Sequence, residues 1–176
     1  MTKILLLVNT IRYLKWLQIY FRFVRKFKKS KVTENFQGIK PHRPNKWVPL
    51  ILFEEKINNE LKARFLNFTK KLDLPSDWNN ESPSKLWVYH LHYFEDLVSN
   101  KAEEKCEFHR SLLHNWISGN PVGYGNGWEP YPTSLRIGNI LKAWLGGLEL
   151  DEKLLTSVFA QASFLSNNLE KHLLGN

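Results

Sequence analysis

Asn120-Pro-Val-Gly-Tyr-Gly-Asn-Gly-Trp-Glu-Pro-Tyr-Pro-Thr-Ser-Leu-Arg-Ile-Gly-Asn-Ile-Leu-Lys-Ala-Trp144 changes character halfway along. Pro121, Gly123, Gly125 and Gly127 deny its first half any regular element, and glycine admits the positive φ of a tight turn. Pro130 and Pro132 stiffen the segment that carries Trp128, Glu129 and Tyr131. Pro132 suits the first turn of a helix, where its missing N–H costs nothing. Beyond it Ile137, Ile140, Leu141, Trp144 and Leu148 recur at helical spacing. Arg136 and Asn139 stand three apart on another face, so one helix buries one side and presents polar groups on another. A rigid loop that delivers Trp, Glu and Tyr onto a polar helix face suits a sugar. In a competing reading Trp128 and Tyr131 are core anchors, each hiding about 150–250 Å², and Arg136 and Glu129 form an ordinary ion pair. A dinucleotide site fits poorly, because Gly-x-Gly-x-Gly follows no strand here and Trp-Glu-Pro-Tyr-Pro, not a helix N-terminus, comes next.

Outward from this stretch, the helices multiply. Asn100 and Glu103 resemble a capping box opening a helix with His109, Leu112, Leu113, Trp116 and Ile117, which ends at Gly119-Asn120-Pro121. Gly146-Gly147 closes the next helix. Asp151 caps a third, with Leu155, Val158, Ala162, Leu165, Leu169 and Leu173 as its apolar stripe. Three amphipathic helices on short connections predict antiparallel αα-hairpins and a mostly α fold.

The earlier part is less regular. Residues 3–29 read as one basic amphipathic helix with Arg12, Lys15, Arg22, Lys26 and Lys29 at three- or four-residue steps. Its longest charge-free run, Ile4 to Ile11, is far short of the ~20 residues of a membrane span. Ile4–Val8 is also too short for a signal peptide, and no small-residue cleavage site follows. Such a helix either lies on an anionic membrane surface or packs on the rest of the protein. Residues 30–50 form a linker broken by Gly38, Pro41, Pro44 and Pro49, with Trp47 as an anchor. Residues 51–176 are the body. Phe53, Ile57 and Leu61 suggest a short helix, Phe65–Phe68 a short strand, and Pro75–Pro83 a loop with Trp78 buried in it. From Leu86 to Leu97 the pattern first alternates, with Trp87, Tyr89, Leu91 and Tyr93 on one parity and His90 and His92 on the other.

Composition narrows the chemistry. The chain of 176 residues carries +8, yet residues 1–31 hold nine Lys or Arg and no acid, which leaves −1 for the remainder. Nucleic-acid binding by the body is therefore not expected, since it needs a basic face. The single cysteine, Cys106, excludes an internal disulfide and any cysteine-rich metal site. His90-x-His92 lacks the third and fourth ligands that a metal needs, and His109 and His114 are five apart, wrong for one helical face. Neither a metal nor a cofactor is expected. Seven tryptophans point to an aromatic core or a carbohydrate surface.

Gly125-Asn-Gly-Trp-Glu-Pro-Tyr-Pro-Thr-Ser-Leu-Arg-Ile-Gly-Asn139 resembles the N-terminal domain of heparinase II/III-like polysaccharide lyases. Ile11–Arg22, Leu86–Glu95 and Asn168–Asn176 agree with it in the expected order. The resemblance implies an (α/α) toroid followed by an antiparallel β-sandwich, of which this chain supplies only the opening αα-hairpins. It is expected to be an N-terminal fragment, inactive alone, whose uncovered apolar flank favours self-association. The implied reaction is β-elimination on an anionic, uronate-containing polysaccharide. A base removes the proton α to the carboxylate while the enzyme stabilises the enolate-like intermediate. An asparagine that neutralises the carboxylate corresponds to Asn176. The tyrosine and histidine that move protons lie later in the family and have no counterpart here. The resemblance also assigns the substrate cleft to Arg136 for a carboxylate or sulfate, Trp128 or Tyr131 for a sugar ring, and Glu129 and Asn139 for hydroxyls, with His92 and Tyr93 at its border. It implies a periplasmic or cell-envelope location. The alternatives are a toroid glycoside hydrolase, which needs two carboxyl groups about the bond, and a non-catalytic glycan-binding or membrane-surface helical module.

Overall fold

The computed structural model describes residues 12–16, 18–20, 24, 32, 41–44, 46–48 and 53–169. Between 53 and 169 the chain is mostly α-helical with one small sheet. Strands β1 (Lys62–Phe65) and β2 (Phe68–Lys71) form an antiparallel hairpin with Lys62 opposite Lys71 and Phe65 opposite Phe68. Four helices follow: α1 (Lys85–Tyr93), α2 (Cys106–Gly119), α3 (Pro130–Leu145) and α4 (Glu152–Asn167). The central helix is α3, which packs on α1, on α4 and on the 3-10 turn Glu95–Val98.

Local chemistry explains most boundaries. Ser84 opens α1 by accepting the Trp87 amide at 3.1 Å. The helix stops where Phe94 turns left-handed at φ 55°. Asp151 opens α4 by accepting the Leu154 amide at 2.9 Å, as expected, and also meets His114 of α2 at 2.7 Å. Burial would raise the Asp151 carboxyl, but that amide, His114 and Arg110 outweigh it and leave its pKa lowered. Helix α3 starts at Pro130, two residues before the expected position, so Pro130 takes the N-terminal site where a missing N–H is harmless.

Four other expectations are corrected. Phe53–Leu61 is not a helix: its start runs extended, with Phe53 bridging Ser99 and Ile57 bridging Ala63 of β1. Phe65 and Phe68 are not one strand but the facing ends of two, with Leu66-Asn67 as the turn. The alternating aromatic run is helix α1, whose buried Trp87, Val88, Leu91 and His92 follow helical rather than strand spacing. The Asn100 capping box does not form; Ala102–Lys105 is a 3-10 turn and α2 begins at Cys106 without a side-chain cap.

Tryptophan builds the core. Trp78, Trp87, Trp116 and Trp128 are all buried, and each indole N–H finds an acceptor: Asn115, the Phe68 carbonyl, His92 and the Asn120 carbonyl. Four large rings with satisfied polar edges lose little on desolvation. Trp47 is no buried anchor, for it remains 40% exposed, and Trp16 is exposed as well. No helix among the described residues is long and apolar enough to cross a membrane. Most of residues 3–29 lies outside the described set.

Candidate functional site

The loop before α3 is fixed by a chain of amides. Asn120 donates to the Trp116 carbonyl at 2.8 Å, Asn79 donates to Asn120 at 3.1 Å, and the Asn126 amide donates to Asn79 at 3.1 Å. Gly125 has φ +76°, which a side chain would strain. Gly127 lies flat beneath two rings, where a Cβ would stand 2.8 Å from His92 and 3.2 Å from Trp116.

The inner face of α3 is an internal polar network. Arg136 is fully buried. Its Nε donates to Gln161 of α4 at 2.8 Å, Nη2 to the Gly127 carbonyl at 2.8 Å, and Nη1 to the His92 carbonyl at 3.3 Å. The guanidinium also lies 3.9 Å from the centre of the Trp116 ring. Asn139 donates to the Tyr93 carbonyl at 2.9 Å. Arg136 and Asn139 thus cover carbonyls in the last turn of α1, which have no partner within their own helix and carry the negative end of its dipole. Burial lowers the Arg136 pKa to about 9, so it stays charged at neutral pH. Acceptors and a ring face solvate that charge; among the described residues no carboxylate pairs with it.

His92 is held beside this cation. Burial, then the Arg136 charge, pushes its pKa down to about 3, so the imidazole is neutral. Nδ1 accepts from the Trp116 indole at 2.9 Å, which places the proton on Nε2. That atom is buried and has no hydrogen-bond partner among the described residues. His90 stacks on Phe65 at 5.7 Å. Among the described residues no cluster of three metal-binding side chains occurs.

The outer face is different. Glu129 leaves the loop toward solvent, where Lys85 reaches it at 2.7 Å and the Tyr89 hydroxyl donates to its other oxygen. The Lys85 ammonium also lies 5.3 Å from the Tyr89 ring centre. Tyr131 stands 56% exposed, edge-on to Tyr93 at 5.8 Å. Lys85, Tyr89 and Tyr93 follow one another at four-residue steps along one face of α1, with Lys85 exposed, Tyr89 half-buried and Tyr93 buried at its inner end. Burial and then Glu129 raise the Tyr89 pKa. Burial and then Tyr131 push Tyr93 up to about 12. Both hydroxyls therefore keep their protons at neutral pH. The Glu129 hydrogen bond raises Lys85 against a smaller burial effect. This surface offers an ammonium, a carboxylate, phenol groups and aromatic edges, which suit binding rather than proton abstraction.

The expected cleft residues therefore divide. Trp128, Arg136, Asn139 and His92 are buried, Tyr93 is almost enclosed, and Glu129 and Tyr131 reach the surface. Arg136 and Glu129 are not an ion pair, since each has other partners. Asn176 lies outside the described residues. Lys85 and Tyr89 were missed as site residues; their four-residue spacing was the available signal, hidden by the reading of that run as alternating. A second concavity of about 560 Å³ lies behind Trp128, lined by Asn120, Val122, Lys153, Thr156 and Ser157. No family model, curated protein or solved structure matches the chain.

Proposed function

We propose that this chain is the glycan-facing helical part of a heparinase II/III-like polysaccharide lyase, with α2, α3 and α4 belonging to the opening αα-hairpins of an (α/α) toroid. The resemblance of Gly125–Asn139 to that family motivates the reading. The observation that carries it to a site is the convergence of the segment's outward side chains, Glu129 and Tyr131, with Lys85 and Tyr89 of α1. Lys85 attracts a uronate carboxylate, Glu129 and Tyr89 exchange hydrogen bonds with hydroxyls, and Tyr131 offers its exposed ring to a sugar face. Arg136 and Asn139 act one layer beneath, fixing α1 so that Lys85 and Tyr89 meet Glu129. The elimination then needs a base that this surface does not provide, because Tyr89 and Tyr93 hold their protons and Glu129 is already engaged by Lys85 and Tyr89. The chain on its own is thus a binder of anionic glycan.

That last point keeps a non-catalytic glycan-binding module as the second reading. Both are tested by titrating the protein with uronate-containing oligosaccharides and neutral ones of equal length. Selective binding of the uronate set is expected, weakened about tenfold or more by Lys85→Met, the size of one charge-assisted hydrogen bond. Equal binding of neutral glycans, or none of either, overturns the site. Ultraviolet-absorbing unsaturated ends, sought with the same glycans, separate the two readings: their release by a form that contains the later residues supports the lyase, and their absence the binding module.

A further inference from the structure

The β1–β2 hairpin carries features that its own stability disfavours. Ala63 and Phe65 face inward, with Phe65 against Trp87 at 5.2 Å and His90 at 5.7 Å. The alternate positions face out, and the register sets Lys62 opposite Lys71 and Arg64 opposite Thr69. Like charges directly across a strand pair are destabilising; Glu60 relieves this by pairing with Lys62 at 2.6 Å and by a weaker attraction to Lys71. Arg64 and Lys71 form no ion pair with a described residue. At the turn Leu66 and Asn67 are both left-handed, with φ 50° and 61°. Such turns favour Asn or Gly, and a leucine there is strained. Leu66 is nevertheless 52% exposed and Phe68 51%. Protection of a free sheet edge accounts for Lys71 on β2. It does not account for Arg64 on β1, whose other side is covered by Lys56, or for Leu66 in water at the tip; Phe68, opposite the inward Phe65, meets Trp87 edge-on at 6.4 Å and leaves about half its surface exposed.

We propose that this hairpin docks the protein on an anionic lipid bilayer. Leu66 enters the border of the hydrocarbon layer, while Lys62, Arg64 and Lys71 meet lipid phosphates. The spacing fits. Strands rise about 3.3 Å per residue, which sets Arg64 roughly 7 Å and Lys62 roughly 13 Å behind Leu66. A tip immersed by about 5–10 Å brings these cations to the headgroup level. An acidic glycan would use the cations but gains nothing from Leu66; a bilayer uses both. The inference does not depend on the lyase reading, and residues 1–31, with nine Lys or Arg and no acid, carry charge of the same sign.

The test is flotation of the full chain with vesicles of phosphatidylcholine alone or mixed with phosphatidylglycerol. Binding to the mixed vesicles alone is expected, and it should weaken with salt. Arg64→Ser and Lys71→Ser should each reduce it about fivefold, from roughly 1 kcal/mol per cation near a charged membrane. Leu66→Asn should reduce it several-fold while leaving the thermal midpoint equal or higher, because asparagine accepts the left-handed turn. Residues 1–31 are the same in every variant, so their contribution cancels. Failure of the native chain to float with anionic vesicles overturns the proposal. So does native-like flotation of all three variants, or a loss confined to binding of acidic glycan.

Discussion

The two faces of the segment from Gly125 to Asn139 treat polar groups in opposite ways. Inside, Arg136, Asn139 and Thr133 donate hydrogen bonds to the carbonyls of His92, Tyr93 and Gly127, partners that cannot move without moving the backbone. Outside, Glu129 is shared by Lys85 and Tyr89, side chains that a ligand can displace. One sequence run thus holds both a fixed scaffold and an adaptable surface. The type of residue does not distinguish them, since Arg136 would serve a carboxylate well in isolation. What distinguishes them is whether the hydrogen-bonding capacity is already used.

The sharpest way to break this contrast is at Arg136. Arg136→Met removes the burden of a buried charge, but it leaves Gln161 and the carbonyls of His92 and Gly127 short of donors. A loss of roughly 3–5 kcal/mol is expected in urea unfolding. Arg136→Lys should recover little of it, because an ammonium cannot fan out to three segments. A native-like urea midpoint for Arg136→Met would mean that the network does not support the fold.

Acidity probes the interior next. Burial raises Asp96 to about 6, against the amides of Lys56 and Ile57. A carboxyl with a raised folded pKa binds its proton more tightly when folded. Its contribution is therefore favourable at low pH and is lost as pH climbs from about 4 to about 6. His92 and His109, lowered by burial to about 3 and about 4, act in the opposite sense. They are neutral when folded and protonated when unfolded, so stability falls as pH drops below about 6.5. Relative to wild type, Asp96→Asn should gain on the order of 2–3 kcal/mol between pH 4 and 7, read from urea midpoints at each pH. An equal gain at both pH values would show that Asp96 does not titrate there.

Two smaller effects follow. Gly127→Ala should cost about 1–3 kcal/mol by driving a methyl group into His92 and Trp116, seen as a lowered thermal midpoint. Tyr131→Ala on the outer face should change stability by about 0.5 kcal/mol or less, while weakening binding of uronate oligosaccharides in the same preparation. A large stability loss there would place Tyr131 with the scaffold instead.

Some of the helix boundaries were legible before the structure, but this division was not. The loop-to-helix change, to within two residues, and the Asp151 cap follow from local rules, but the apolar period did not give the inner face of α3: Leu141 is exposed and Ile137 and Trp144 are half-buried, while Thr133, Arg136, Asn139, Ile140 and Ala143 are buried. Helix α1 was hidden because it spans only nine residues and is aromatic on several sides, so Trp87, Tyr89, Leu91 and Tyr93 mimic a strand. The hairpin was hidden because Leu66-Asn67 lacks the glycine that normally marks such a turn. Arg136 was legible as important but not as buried, because its partners are main-chain atoms and a glutamine 25 residues away. No local pattern reports that distance.

One guanidinium therefore joins α1, the glycine loop and α4 and lies on a ring of α2. None of those segments can open to water alone without stranding it. Hydrogen exchange should then report a shared opening free energy for the central amides of α1, α3 and α4, with the hairpin free to exchange on its own schedule. Exchange rates that differ widely among these three helices would show instead that Arg136 does not couple them.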